Sequence, residues 1–391
     1  NYGRPQKDGT YSERIKYGMI SVIIHEVGHN YFPMIVNSDE RQWTWMDEGL
    51  NSYLQFLAEQ EWDRDYPSRR GPAKNIVNYM KSDKKNLMPI MTNSESIYQF
   101  GNNAYGKPAT ALNILRETIV GRELFDFAFK EYSKTWMFKH PTPSDFFRIL
   151  ENASAVDLDW FWRGWFYSTD PVDISIDEVK WYTLDTRNPE VEFPLKKLDE
   201  ENEPTQSWEE KNRIEIQETI VEIDEEANDF YNKYDPYEVT ILDMDDFIKY
   251  RDSSVVEPQE KRIYNSNLNY YEIKFSNVGG LVMPIILELQ YEDSTNYIIR
   301  IPAEIWRKNR DQITKVFATK KLVKSFNLDP QLETADINLL NNNWPRKMIK
   351  SKFELYKNKK NNRWKNFKEN KMQRYNRLQK MEQSTKEILS N

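Results

Sequence analysis

His25-Glu26-Val27-Gly28-His29 sets two histidines four residues apart, and Glu48 follows the second after eighteen intervening residues, inside Trp45-Met46-Asp47-Glu48-Gly49. On an α-helix, residues i and i+4 lie one above the other, so both imidazoles can turn a ring nitrogen toward one metal ion. Glu26 projects about 100° further around the axis, beside the ion's open side and not as a ligand. That position suits a general base. A catalytic zinc ion takes three protein ligands and leaves the fourth place to water, whose pKa falls to about 7 on binding. Glu26 would take the proton from that water as it attacks a carbonyl, then deliver it to the leaving amine. The chain has only three histidines and two of them are here, which counts against a solvated surface helix that carries them by chance.

The flanks predict the helix. Ser12 is its expected N-cap, and Ile15, Met19, Val22, Ile23 and Val27 recur at helical spacing as an apolar stripe behind the histidines. Pro33 is the expected stop. A second helix is predicted from about Met46, with Leu50, Tyr53, Leu54 and Leu57 as its buried stripe. Glu48 falls in its first turn, where the helix dipole alone would favour an acid.

The two segments together resemble the gluzincin metallopeptidases of the aminopeptidase N type, whose pattern is HExxH, eighteen residues, then E within a W-x-N-E-G-F-A-type segment. Asp47 stands where that family commonly has Asn, and Leu50-Asn51 where it has Phe-Ala. The resemblance implies His25, His29 and Glu48 as ligands of one Zn2+ ion and Glu26 as the catalytic base. Asn103-Ala104-Tyr105-Gly106-Lys107-Pro108-Ala109 is similar to the family's Y-x-K-G-A segment, with Pro108 in place of Gly, a residue that a helix's first turn accepts. By that likeness Tyr105 donates a hydrogen bond to the oxyanion, a contribution often worth several kcal/mol. Pro143 to Arg148 and Leu158 to Phe166 resemble the helices that close the family's catalytic domain, and their aromatics are expected in the core. His140, before Pro141, is expected in a solvated loop.

The family also carries an N-terminal β-domain and a G-x-M-E-N segment that binds the substrate's amino group. Both lie ahead of the metal-binding helix, so the expectation is a C-terminal portion of a longer enzyme. The implied activity is zinc-dependent hydrolysis of peptide bonds at the N-terminal end of a peptide substrate. Two alternatives stand beside it: a thermolysin-like endopeptidase, and a non-catalytic interaction protein on a peptidase fold.

Composition bounds the rest of the 391 residues. A hydrophobic fraction of 39% with 14% aromatics permits real cores. The net charge of −7 does not announce nucleic acid, and none is expected as a partner. There is no cysteine, which excludes disulfides and thiolate metal sites. No apolar run reaches the length of a transmembrane helix. A periplasmic or secreted location is expected ahead of a cytoplasmic one.

The expected fold class is α+β and multidomain. Residues 1–172 form the mostly helical, thermolysin-like catalytic part. Residues 173–262 hold a strand over Ile174–Tyr182 and an acidic linker with a loop at Glu200 to Pro204, expected to be solvated, since its oxygen spacing matches no EF-hand loop. Arg213 to Ile216 and Pro236 to Ile241 read equally as strands or short helices. Residues 263–345 are expected to form a β-sandwich-like domain, with strands near 271–275, 283–291, 296–301 and 313–318 and a turn at Asn277 to Gly280. Residues 346–391 make a basic tail, with Phe353, Trp364, Phe367, Met372, Tyr375 and Leu378 spread through it, expected to be helical or partly disordered.

Overall fold

A computed structural model describes residues 3–252, 268–348 and 369–390. Ser12 has extended backbone and its Oγ accepts from the Ile15 N–H, which opens helix α1 (Glu13–Gly28) at the expected cap. The apolar stripe assigned to α1 is not buried. Met19, Ile23 and Val27 are 46%, 55% and 63% exposed, whereas His25 is buried. The reason is that α1 packs through its polar edge. A Cβ added at Gly28 would lie 1.9 Å from Asn51 Oδ1, so only glycine admits this approach, and Asn51 Nδ2 donates to the His25 carbonyl across 2.8 Å.

After a π-helical turn over Asn30–Ile35 that contains Pro33, a second such turn over Trp45–Gly49 runs into α2 (Leu50–Trp62). Leu50 and Tyr53 are buried as expected, but Leu54 and Leu57 are only half-buried. Asn51, Ser52 and Glu59 are buried in their place, because this face of α2 meets the polar edge of α1. Then come α3 (Ala73–Met80), α4 (Lys107–Ile114), α5 (Arg122–Thr135), α6 (Pro143–Ser154) and α7 (Asp159–Tyr167). A π-helical turn over Gly101–Gly106 carries Tyr105 into α4, and Pro108 sits in the first turn of that helix.

One aromatic cluster binds these helices. Trp45 meets Phe146, Phe147 and Phe166 at centroid distances of 5.6, 5.9 and 4.8 Å, and Trp162 stacks on Phe147 at 4.4 Å. Phe32, Tyr53, Phe125 and Tyr132 extend the cluster, each no more than 2% exposed. Truncating one such ring typically costs about 3–5 kcal/mol. The aromatics of α7 are therefore core, as the sequence led us to expect.

The β elements are β1 (Ile174–Tyr182), β2 (Asn269–Asn277), β3 (Ile285–Tyr291), β4 (Asn296–Ile301), β5 (Gln312–Thr319), β6 (Val323–Leu328) and the short β7 (Asn343–Trp344). They form two sheets, in the orders β1-β2-β5 and β4-β3-β6-β7. β3 pairs antiparallel with β4 (Leu287 opposite Ile299) and with β6 (Leu289 opposite Phe326). Tyr271, Ile273 and Phe275 alternate into the core from β2, and Gly280 closes the following turn at φ +93°. The Trp165 indole N–H, on α7, donates to the Met283 sulfur across 3.4 Å.

The chain divides into two compact units, residues 1–179 with 273–315 and 323–391, and residues 180–272 with 316–322. The second holds α8 (Pro189–Glu201), α9 (Ser207–Glu215), α10 (Ile220–Ile223), α11 (Phe230–Lys233) and α12 (Ile241–Asp252). Two local expectations change here. Glu200 and Glu201 belong to α8 and not to a loop, and the undecided stretch at Arg213 is helical. In the basic tail, Phe353, Trp364 and Phe367 lie outside the described residues. The tail helix, Lys371–Ser390, starts beside the N-terminal segment, where Lys371 Nζ pairs with Glu13 at 2.8 Å and Asn370 Nδ2 donates to Thr10 Oγ1 at 3.2 Å. Among the described residues no helix is long and apolar enough to cross a membrane.

Lys107, at the start of α4, is buried with Nζ donating to the Ser168 carbonyl across 3.0 Å. Burial pulls its pKa down to about 8, against the opposing pull of Asp170. Between that value and its ordinary 10.5 the native state binds fewer protons than the unfolded chain, so stability rises with pH through this window. Relative to Lys107→Met, the wild type should gain roughly 3 kcal/mol across it. Urea denaturation at a series of pH values reads this difference directly; parallel curves for the two proteins would refute it.

Candidate metal centre

The polar edges of α1 and α2 meet at one point. His25 Nε2 lies 3.1 Å from His29 Nε2 and 3.0 Å from Glu48 Oε2, and His29 Nε2 lies 3.4 Å from the same oxygen. The helical spacing of the histidines produces the first distance. The turn over Trp45–Gly49 produces the others, since Trp45, wholly buried among the aromatics, anchors the backbone three residues before Glu48.

The outer ring nitrogens fix which atoms face inward. Gln55 Nε2 donates to Glu59 Oε1 across 2.7 Å, so Gln55 Oε1 is the atom turned to His25 Nδ1, 2.9 Å away, and Nδ1 must carry the proton. His29 Nδ1 donates to the Phe32 carbonyl across 3.0 Å, held there by the burial of the Phe32 ring. Asp47 Oδ1 is also 2.9 Å from His29 Nδ1 but out of line with its N–H, so that contact is electrostatic. With both Nδ1 atoms protonated, neutral imidazoles present bare lone pairs at both Nε2 atoms. Three acceptors then face one another, and a cation among them, whether a proton on one Nε2 or a metal ion, relieves their repulsion. Ligands about 2.0–2.1 Å from a tetrahedral zinc ion stand about 3.3 Å apart. The residues present therefore fit a zinc ion in both chemistry and spacing.

Around this point the electrostatics are uneven. Burial raises the Glu48 pKa, but hydrogen bonds from His25 and Tyr105 and the nearby imidazoles outweigh it and hold the carboxyl below its ordinary value. Burial and the adjacent Glu48 push Asp47 up to about 7, against the pull of His29. Tyr105 donates its hydroxyl to Glu48 Oε1 across 2.5 Å. Burial first, and then Glu48, push its phenol upward, so it remains a donor at neutral pH. Glu26 is exposed and lines a cleft of about 790 Å³ together with His25, His29, Glu48 and Tyr105. His140 is elsewhere, exposed, with Nδ1 on the Asn37 carbonyl at 3.0 Å.

Sequence reading missed the supports. Glu59 is 2% exposed and takes hydrogen bonds from Gln55, Ser21 and Ser68. Glu48, Ser52, Gln55 and Glu59 recur at helical spacing as a polar stripe, facing Ser21 and His25 on α1. That stripe was the available signal. A second acidic group, Glu151, Asp157 and Asp159, has two exposed members. Glu151 Oε1 accepts from the Leu158 N–H and the Trp162 indole at the start of α7, a structural task.

Two helices thus bring a His-x-x-x-His pair onto a following glutamate, with the exposed Glu26 carboxylate at the cleft. Residues 6–165 match the peptidase family M1 domain. Curated relatives include the glutamyl aminopeptidase of Bos taurus, 25% identical over 171 residues that cover 42% of this chain and 18% of that protein. The glutamyl aminopeptidase of Sus scrofa is 28% identical over 144 residues, 35% of this chain and 15% of the relative. The "Probable aminopeptidase 1" of Sulfurisphaera tokodaii is 25% identical over 189 residues, 45% and 23%. Each match thus spans less than a quarter of the relative's length. Among solved structures, Legionella pneumophila aminopeptidase A in complex with aspartic acid aligns with a TM-score of 0.45 at 12% identity, covering 83% of this chain and 27% of that one. A mutant M1 zinc metallopeptidase from Deinococcus radiodurans bound to a Tyr-Ser-Ala substrate aligns with a TM-score of 0.31 at 21% identity, covering 38% and 32%.

Partners that orient a ligating histidine typically contribute 10–100-fold in metal affinity. Gln55→Ala should therefore weaken zinc binding by about 10-fold or more, as measured by competition with a chromogenic chelator. Unaltered affinity in the folded variant would remove Gln55 from the site.

Proposed function

We propose that this chain provides the metal-binding and general-base machinery of a zinc-dependent peptidase, with His25, His29 and Glu48 holding a single zinc ion. The observation that carries the reading is the convergence of two imidazole Nε2 atoms and a carboxylate oxygen within 3.4 Å. The named relatives, all aminopeptidases, favour action at the N-terminal end of a peptide. We also propose residues 268–345 as a β-sandwich-like accessory domain, and a periplasmic or secreted location.

Zinc bound there supplies Lewis acidity and an attacking water of lowered pKa. Glu26, one residue along α1 from a ligand and open to the cleft, accepts the water's proton and returns it to the leaving amine. Tyr105, kept protonated by burial, turns its one hydroxyl proton from Glu48 to the charge that develops on the carbonyl oxygen. Gln55 and the Phe32 carbonyl keep both imidazoles in the tautomer that leaves Nε2 free.

Two substitutions separate these roles. Glu26→Gln should keep the metal but lose roughly 10²–10⁴-fold in peptide hydrolysis; a zinc-replete mutant that still turns over would end the assignment of Glu26. Glu48→Ala should lower the zinc content itself, measurable by atomic emission after dialysis. Full occupancy in that variant is incompatible with Glu48 as a ligand.

A further inference from the structure

A second charged group lines the cleft, and the chemistry above leaves it unused. Arg70 follows the buried face of α2 and precedes Gly71, which turns the chain at φ +99°. A Cβ at Gly71 would lie 2.4 Å from the Phe56 ring, so the turn is tightly determined and Arg70 is delivered from a fixed backbone. Its guanidinium lies over the Tyr105 ring, 4.1 Å from the centroid, and Nη1 donates to Ser52 Oγ across 3.2 Å. Among the described residues no carboxylate stands within 4.0 Å of it. Glu48 and Glu59 act on it only from further away, and both are already engaged: Glu48 by Tyr105 and His25, Glu59 by Gln55, Ser21 and Ser68.

A half-buried guanidinium has five donors in a rigid fork that matches a carboxylate bidentately. One hydroxyl and one aromatic face leave most of that capacity open. We propose that Arg70 binds a carboxylate of the peptide substrate and so selects peptides that present one near the scissile bond. The proposal rests on the peptidase reading above. Tyr105 spans the distance, since its hydroxyl touches Glu48 while its ring carries Arg70. That reach suits either the side chain of an acidic residue or the terminal carboxylate of a very short peptide.

Calorimetry on the zinc-loaded Glu26→Gln protein, which can bind without turnover, distinguishes these sources. Glu-Ala-amide against Gln-Ala-amide reports a side-chain carboxylate; Ala-Ala against Ala-Ala-amide reports a terminal one. One pair should favour its carboxylate member by about 10- to 100-fold, as a charge-assisted pair would give. Arg70→Gln, introduced into the same protein, should erase that preference, and Arg70→Lys should retain part of it. The proposal is overturned if neither pair discriminates, if no peptide binds, or if Arg70→Gln leaves the preference intact. Equal weakening of both members would also overturn it, and would make Arg70 a residue that positions Tyr105. Failure of the peptidase reading registers separately, as a zinc-loaded protein with Glu26 intact that hydrolyses none of these peptides.

Discussion

Three lone pairs aimed at one point are the constraint on which the rest of this architecture depends. His25 Nε2, His29 Nε2 and Glu48 Oε2 repel one another at 3.0–3.4 Å unless a cation lies among them. Each must therefore be held against that repulsion from behind. The two Nδ1 hydrogen bonds perform that task for the imidazoles and Tyr105 for the carboxylate. Removing any one of them frees a ring or carboxylate to turn away, which is the cheapest escape from the repulsion.

The supports lead into different parts of the fold. His29 is tied through the Phe32 carbonyl to the aromatic cluster, and Glu48 through Trp45 to the same cluster. Rings packed to interior density give these attachments little slack. His25 is tied instead through Gln55 to Glu59, a buried polar network that is well satisfied by Ser21 and Ser68. Such a network is stable only when its members are paired, so the α1–α2 contact has to be close. Gly28 permits that closeness, and the Asn51 bond to the His25 carbonyl uses it.

The centre was legible because its geometry is local. A His-x-x-x-His spacing on a capped helix carries its own distance, and the position of Glu48 in the first turn of the next helix follows from the start of the buried stripe at Leu50. The strands at Ile174, Tyr271 and Ile285 were legible for a similar reason, as period-two alternation or a short apolar run. What escaped is non-local. Periodicity alone makes the stripe of α1 its buried face, but apolar periodicity says which residues share a side and not what covers it; here the polar side packs. The same blindness hid Gln55 and Glu59, because a polar stripe on a helix usually means solvent, and only the facing residues of α1 make it interior. Arg70 was invisible for a third reason: it lies in a turn, and its position depends on Gly71 and Phe56 rather than on any repeat.

The two histidines are not held alike, and the difference bears on reactivity. A carboxylate directly behind a ligating imidazole makes it more basic and passes negative charge to the metal. At His25 the direct partner is a neutral amide, with the Glu59 carboxylate one residue further back. At His29 it is a neutral carbonyl, and Asp47, beside it but out of line, is pushed toward its neutral form by burial. Glu48 is thus the one firmly anionic group in direct contact with the point where the nitrogens converge. A divalent ion there would keep a net charge near +1, and a site that retains charge polarises a carbonyl more strongly than one neutralised by its own ligands. That residual charge would attract a carboxylate in the same sense as Arg70, so the features that would make the centre electrophilic would also bias what it binds.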